Sequence, residues 1–584
     1  MYTNIPGVQI IISLLKQHNI RHLVISPGTR NTALVHSVEC DDFFKCYSVV
    51  DERSAGYFAL GLSENLGVPV CVTCTAATAT CNYLPAMKEA FERNIQLVAL
   101  TADQDVYSRF HMGDQNINQT NMFEGYVKYA VDVPKIINGE DHWYFNRCVN
   151  EAFLELNHNG KGPIQINYRM NYSLDELATF PEKEIKKTRK ITRYNEEEIN
   201  YKDLSNELNN KKVLVFCGSD YTGDEKLKNE ILKFKKKTGA VILADYYSNI
   251  IDDEVINPSI LGDVYCNKDW ELLKPDLIIL TGTNIYAPIK YNANLFRNNI
   301  TTWQISVDGM LNDGFKNVSK IIEGTAENFF EKINKELDSK TSDEYYQKWK
   351  EVIDTVKYEN LEFTHLSIIK KLMETIPEKS LMHMSVLDAI RISNYYKMPS
   401  NVKCFANIGA DGIDGALSTF LGQAANTKDL AFLLVGDLSL LYDMNGFYQE
   451  LPSNVRILII NNYAGSEFHK NFGLEKIPTL NKHIAAGHNS NMSYTETMTN
   501  LEYISATNEE ELSSGLNKLC NKDSKRPIIL EVFTDAHKDA TKLKGMWTAN
   551  RENFMTDKDK FKKKIKNILG PKVLSTIKKL LRRG

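Results

Sequence analysis

Nowhere in its 584 residues does the chain hold an uninterrupted apolar run long enough to span a bilayer, so a membrane-embedded body is not expected. Nor is a secretion signal expected, because MYTNIPGVQIIISLLKQHNI carries charges within an amphipathic segment. Ten cysteines lie scattered without a repeated framework. Cys71 and Cys74 form a C-x-x-C, but PVCVTCTAATATC reads as a buried strand and small-residue turn. No second pair stands at the spacing that a zinc site would need. Packing in the core, in the reducing cytoplasm, is the expectation for these thiols. Charge of one sign is missing too: 70 Lys and Arg against 74 Asp and Glu leave −4, which gives no reason to expect a nucleic-acid partner. No G-x-G-x-x-G follows KKVLVFCGSD in the central region, so nothing there demands a dinucleotide.

What is present points to three domains, since the chain is too long for one core. Residues 1–180 alternate strand and helix patterns, with HLVIS, KCYSVV, PVCVTC, IQLVALTA and PIQINY as strands, which predicts a parallel α/β domain. A charged stretch over 181–208, PEKEIKKTRKITRYNEEEINYKD within it, reads as a solvated linker. A second α/β domain follows over 209–340 and a third over 341–550, the latter carrying KCFANIGADGIDGALSTFLG and PIILEVFTD. The tail, 551–584, holds 12 Lys and Arg against 3 Asp and Glu, a local charge of +9. Phe561, Ile565, Ile568 and Leu569 share one helical face there, and Leu574, Ile577 and Leu581 a second. Such a segment either lies on an anionic membrane surface through 555–584 or packs as a terminal helix on its own protein.

The most informative stretch is GDLSLLYDMNGFYQELPSNVRILIINN, Gly436 to Asn462. DLAFLLVGD and VRILIINN both read as buried strands with polar ends, joined by a crossover helix through MNGFYQEL. Parallel strands would bring both polar ends to the carboxyl edge of one sheet, where open α/β sheets bind ligands. A carboxylate and an amide there are hard oxygen donors, suited to a magnesium ion that holds a phosphate.

Asp437 and Asn462 at this spacing resemble the metal and diphosphate motif of thiamine diphosphate enzymes, G-D-G followed by N-N, with Leu438 departing from the last glycine. One branch has G-D-L-S-x-L-Y-D there, the 2-succinyl-5-enolpyruvyl-6-hydroxy-3-cyclohexene-1-carboxylate (SEPHCHC) synthase family of the menaquinone pathway. From residue 20 to about 535 the chain is similar to that family. SPGTRNTAL resembles its SPGSRSTPL, VDERSAGYFALGL its VDERxxGFxALGL, and TAATATCNYLPAMKEA its TSGTAxANxxPAxxEA. LTADQD stands for LTADRP, GDQNINQTNMF resembles ANQxIxQxxMF, and IGADGIDGALST resembles RGASGIDGxxST.

The resemblance implies three parallel-sheet α/β domains of the pyruvate oxidase/decarboxylase-like architecture, the first binding the cofactor's pyrimidine and the third its diphosphate. The cofactors would be thiamine diphosphate and Mg²⁺ or Mn²⁺. Side chains of Asp437 and Asn462 and the carbonyl of Ala464, where the family usually has glycine, would hold the metal. Glu52, between CYSVV and a helix starting SAGYFALG, matches the catalytic glutamate beside the pyrimidine. Ile413 matches the residue wedged beneath the cofactor, and Thr78, Leu438, Ser439 and Phe468 complete its binding set. Ser26, Arg30, Gln115, Ser385 and Glu467 match positions that face substrate. Active sites shared between subunits imply at least a homodimer, and a tetramer is equally compatible.

Departures from the family gather where substrate is recognised. The family joins 2-oxoglutarate to isochorismate, so its pocket neutralises several carboxylates, a task for arginine forks. Gln104, Ile408 and Ala389 stand at three of its arginine positions, and Glu467 replaces an apolar residue. Each lost pair costs roughly 1.5–3 kcal/mol of charge-assisted hydrogen bonding. Arg391 and Lys290 lie near two of the gaps. The expectation is therefore a 2-oxo acid decarboxylase and carboligase with intact activation chemistry, an altered pocket and an unnamed acceptor. The alternatives are a genuine SEPHCHC synthase, a decarboxylase without ligation in which Glu467 donates the proton, and a non-catalytic scaffold.

Overall fold

The computed structural model describes all residues except 220–223, 266–269, 283, 298, 339–341, 359–361, 426, 449, 471–472 and 556–584. Three six-stranded parallel sheets with interleaved helices make up the protein. Its residues form two compact units, Met1–Asn195 with Gly309–Glu323, and Glu196–Asp308 with the residues from Gly324 on.

The first sheet contains β1 (His22–Ile25), β2 (Lys45–Ser48), β3 (Val70–Cys74), β4 (Leu97–Asp103), β5 (Tyr129–Val133) and β6 (Ile164–Arg169). Its order is β2-β1-β3-β4-β6-β5. Alternate side chains of a strand point to opposite faces, and both faces here are covered. Leu23, Ile25, Cys71, Val98 and Leu100 enter one core, which the apolar helix Pro6–Gln17 covers. Val24, Val72, Leu97 and Ala99 enter the other. Cys71 and Cys74 are fully buried, and that burial pushes the Cys74 thiol up to about 12. The nine cysteines described are all unpaired, as the scattered spacing predicts.

The second sheet comprises β7 (Thr192–Asn195), β8 (Val213–Cys217), β9 (Val241–Ala244), β10 (Leu277–Thr281), β11 (Thr301–Ser306) and β12 (Val318–Glu323), in the order β7-β12-β11-β10-β8-β9. Here the reading of 181–208 as a solvated linker is corrected. That stretch supplies β7 and the helix Tyr201–Leu208, and it buries Ile191, Leu204 and Leu208. Its apolar residues are few, but 204 and 208 lie one helical turn apart on a common face. At the other end, the helix Ala536–Asn553 carries the chain into the tail, with Arg551 donating to the Asp263 carbonyl at 2.6 Å and Phe554 against the Tyr265 ring. The amphipathic faces expected after Phe561 lie outside the described residues.

The third sheet positions the site. It contains β13 (Leu381–Met384), β14 (Lys403–Phe405), β15 (Ala431–Gly436), β16 (Val455–Asn461), β17 (Glu502–Ala506) and β18 (Ile528–Phe533), in the order β14-β13-β15-β16-β18-β17. From β13 the chain turns toward β14, whereas from β15 it continues toward β16, so a crevice opens between β13 and β15 at their carboxyl ends. The crossover between β15 and β16 is not one helix through MNGFYQEL. It is a short α-helix, Asp437–Leu441, followed by a 3₁₀ stretch, Met444–Tyr448. Gly446 is the tight point, because a Cβ there would meet the Leu417 side chain at 2.8 Å.

His383, fully buried in β13 with Nδ1 3.0 Å from Gln423 Oε1, is held down at about 4 by burial. A histidine kept neutral by the fold favours folding above its ordinary value of 6.5 and loses that contribution as pH falls toward 4. His383→Gln is expected to flatten the fall in thermal stability between pH 6.5 and 4 by about 3 kcal/mol. Melting curves of the two proteins across that range check this, and parallel curves would refute it.

Candidate active site

Strand register answers the question posed by the two polar strand ends. Gly436 pairs with Ile460 across β15 and β16, so Asp437 and Asn462 emerge side by side at the carboxyl edge. The Asn462 backbone N–H donates to Asp437 Oδ2 at 3.1 Å, and the Leu438 N–H to Oδ1 at 2.7 Å. His488 Nε2 lies 3.2 Å from the same Oδ2. Burial raises the Asp437 carboxyl above its usual range, since these hydrogen bonds and His488 do not offset the lost hydration. No lysine or arginine among the described residues forms an ion pair with it. Among the described residues, the basic group in contact with Asp437 is thus His488.

Asn462 is oriented by a residue that the sequence reading missed. Its Nδ2 donates to Asp539 Oδ2 at 3.3 Å, which turns its Oδ1 the other way. Asp539 is fully buried, accepts from Thr534 Oγ1 at 2.7 Å and from the His365 N–H at 3.1 Å, and lies in the first turn of the helix after β18. Adjacency of β16 and β18 at one edge was the signal that could have found it. The backbone strain next to the site falls on Tyr463, at φ +62°, and spares Ala464. This is how alanine fits at the predicted carbonyl ligand: the left-handed residue precedes it.

A cavity of about 180 Å³ opens beside these groups and includes Ser385, Ile413, Asp437, Leu438, Glu467 and Phe468 in its walls. Ser385 is fixed at the crevice by its N–H, which donates to the Leu434 carbonyl of β15 at 2.9 Å. Ser439 donates to the Ile413 carbonyl, so the loop carrying Ile413 is tied to the helix behind Asp437. Leu387, also in the wall, adopts φ +68° and ψ −123°, a strained conformation for leucine. Tyr286 holds it, its hydroxyl accepting from the Leu387 N–H at 3.2 Å.

One wall carries a closed set of charges. Arg391 Nη1 lies 2.7 Å from Glu467 Oε2 and 3.1 Å from Asp388 Oδ1. Lys470, buried, reaches Glu467 Oε2 at 2.5 Å and also pairs with Asp388. Ser466 Oγ donates to Asp388 Oδ2 at 2.7 Å. Burial would raise the Asp388 carboxyl, but Lys470, His365 and Arg391 outweigh it and hold it well below the carboxylate range. The cluster pairs two acids with two bases.

The remaining predicted residues belong to the first unit. Ser26, buried, follows β1, and its Oγ donates to the Val49 carbonyl at 2.9 Å. Arg30 donates through its N–H to Thr75 Oγ1 at 3.3 Å and through Nη1 to the carbonyls of Met170 and Tyr172 at 3.2 Å each. Glu52 is the first residue of the helix Glu52–Leu66 and half-buried, and Thr78 opens the helix Thr78–Cys81. Gln115 is exposed in the loop after β4, at φ +52°. Sequence reasoning missed Gln119 here. Buried, it accepts from the Ala77 N–H at 2.6 Å and so fixes Ala77 at φ +72° just before Thr78.

The family described as thiamine pyrophosphate enzyme, N-terminal TPP binding domain, matches residues 5–122. A protein named SEPHCHC synthase from Bacteroides thetaiotaomicron is 33% identical over 565 residues, covering 94% of this chain and 99% of its own. Its namesake from Flavobacterium johnsoniae is 28% identical over 93% of this chain and 99% of its own. One from Cytophaga hutchinsonii is 27% identical over 94% and 99%. The chain belongs to the SEPHCHC synthase family. It is a thiamine diphosphate-dependent enzyme of three parallel-sheet α/β domains, whose reaction class is decarboxylation with carbon–carbon bond formation.

As a member of the SEPHCHC synthase family, the chain has residues that fit the cofactor's charged end. Asp437 is a desolvated carboxyl and the Oδ1 of Asn462 is turned away from Asp539, two oxygens of the hard kind that suits a divalent cation. The positions that depart from the family pattern are also placed. Gln104 Nε2 donates to the carbonyls of Asp114 and Gln115 at 2.8 and 3.0 Å, so it ties the loop carrying Gln115 to itself. Ile408 is buried outside the 180 Å³ cavity, whereas Ala389 lies in its wall. Lys290 donates to the carbonyl of Ile285 in its own loop and is absent from that wall. Among the described residues, no helix is long and apolar enough to cross a membrane.

Proposed function

We propose that the protein is a thiamine diphosphate- and magnesium-dependent 2-oxo acid decarboxylase and carboligase, whose substrate pocket differs from that of the synthases it resembles. The observation that carries this reading is the buried carboxyl of Asp437, paired with no lysine or arginine among the described residues, beside Asn462 at the crevice edge of the third sheet. Asp437, the Asn462 Oδ1 and the Ala464 carbonyl would hold the divalent cation, and Ile413 would stand under the cofactor. Bound thiamine diphosphate supplies the nucleophilic carbon that adds to the 2-oxo group and accepts the electron pair released with carbon dioxide. The chain's own share is to orient that group, with Glu52 holding a proton on the pyrimidine and Ser385 facing the substrate. Glu467 is engaged by Arg391 and Lys470, an arrangement that suits a counter-ion rather than a proton donor, so ligation is favoured over simple protonation.

A homodimer is part of the proposal. Val50, Phe58, Tyr107, Phe110 and Met112 of the first unit are exposed, Met112 fully so, and a second copy is the occupant that would cover them. Cytoplasmic placement is part of the proposal too, and the buried, unpaired Cys71, Cys74, Cys148 and Cys404 suit a reducing compartment. The test is carbon dioxide release by the magnesium- and cofactor-loaded enzyme from a panel of 2-oxo acids, with and without isochorismate. Release that an acceptor diverts into a new carbon–carbon bond is expected. Activity with 2-oxoglutarate and isochorismate alone would return the protein to the reaction its relatives are named for. Absence of release from every acid would remove the proposal.

A further inference from the structure

Glu467 lies in the cavity wall and is about a quarter exposed, while Lys470 behind it is almost wholly enclosed. Among the described residues, Arg391 is held through Nη1, between Asp388 and Glu467, and its buried Nε finds no acceptor. The two cations are thus turned toward a carboxylate that comes from the protein itself. Asp388 is balanced by Lys470 and by the Ser466 hydroxyl, and His365 on the same wall stands beside Asp539 at 3.3 Å. Neither adds free positive charge. A ligand entering this cavity meets a neutral cluster whose most exposed member is the acid Glu467, with Asp388 beside it in the wall.

From this arrangement we propose that Glu467 occupies the place of a substrate's distal carboxylate, and that the donor is a short 2-oxo acid carrying one carboxylate only. A dicarboxylic 2-oxo acid would bring a second negative charge against Glu467, with both cations already engaged. Charge-assisted pairs of this kind are the strong ones, and opening one costs more than a neutral hydrogen bond. A monocarboxylic acid such as pyruvate or 2-oxobutyrate leaves the cluster undisturbed. Removing the Glu467 charge would leave Arg391 and Lys470 in excess over Asp388, a cationic site at the distance of one side chain from the cavity. The inference rests on the decarboxylase reading above and specifies its donor.

The experiment uses the full chain loaded with magnesium and thiamine diphosphate, as wild type, Glu467→Ala and Glu467→Gln. Wild type is expected to release carbon dioxide from pyruvate or 2-oxobutyrate at a kcat/KM roughly tenfold or more above that for 2-oxoglutarate. Both variants should shift this preference toward 2-oxoglutarate by about tenfold, mainly through KM, as expected for one charge-assisted pair. Glutamine keeps the side-chain volume, so a shift shared by both variants comes from charge and not from space. In parallel, calorimetry measures glutarate and propionate binding to the same proteins, which needs no turnover. Glutarate binding that appears only in the variants supports the proposal even where no acid is decarboxylated, and that combination would sink the decarboxylase reading alone. A wild-type preference for 2-oxoglutarate overturns the proposal, as does an unchanged preference with glutarate still unbound in folded Glu467→Gln.

Discussion

Asp437→Asn is expected to weaken magnesium-dependent thiamine diphosphate binding by about a hundredfold or more, roughly 2.7 kcal/mol, while leaving the cofactor-free protein as stable as wild type or more so. The two outcomes have one cause. Burial raises the Asp437 carboxyl in the fold, so at neutral pH the charged form is a cost that no lysine or arginine partner offsets. A carboxyl shifted upward in this way favours folding at low pH and loses that contribution as pH rises through the folded value. Asparagine keeps the shape and drops the charge, so the melting temperature of the apo-protein holds or rises at pH 7. A divalent cation, however, loses its only anionic ligand in the set. Isothermal titration with and without magnesium, paired with melting curves, reads both. Retained magnesium-dependent affinity would show that the cation sits elsewhere.

Glu52→Gln should separate binding from turnover in the opposite sense. Glu52 stands at the start of its helix, at the carboxyl edge of the first sheet, close enough to Cys74 and Tyr83 for its charge to bear on both. Glutamine fits the same half-buried space, so cofactor affinity should change only severalfold. It cannot exchange a proton with the pyrimidine, and positioned proton transfer is typically worth about 10²–10⁴-fold in rate. Carbon dioxide release should fall by that factor, with KM for the 2-oxo acid little moved. Turnover within a few-fold of wild type in the cofactor-saturated variant would exclude Glu52 from catalysis.

Much of this site was legible in the sequence, because it lies at strand ends. Apolar runs such as DLAFLLVG and VRILII fix two buried parallel strands, and the residues that end them must then share an edge. Asp437 and Asn462 are found by that logic alone. Asp539 and His488 are not: they lie 77 and 51 positions from the residues they touch, and only the adjacency of β18 and β16 and the path of one loop bring them in. The charge cluster was half visible. Glu467 stood out as a departure and Arg391 as a neighbour of a missing arginine, but their pairing across 76 residues is a tertiary fact, and Lys470 and Asp388 gave no local sign at all. The crossover after β15 was misjudged because propensity favours a helix through MNGFYQEL, whereas Gly446 must pass close to Leu417. The 181–208 stretch was misjudged because charge counts outweighed two well-spaced leucines.

The first and third sheets run their strands in the same relative sequence, second-first-third-fourth-sixth-fifth. Six strands can be arranged in many ways, and this permutation sets the first strand beside both the second and the third, which leaves each sheet a crevice at the carboxyl ends of its first and third strands. The two edges differ in what stands along them, Glu52 at one and Asp437 with Asn462 at the other. One wiring of strands thus presents an acid alone in one sheet and an acid with an amide in another.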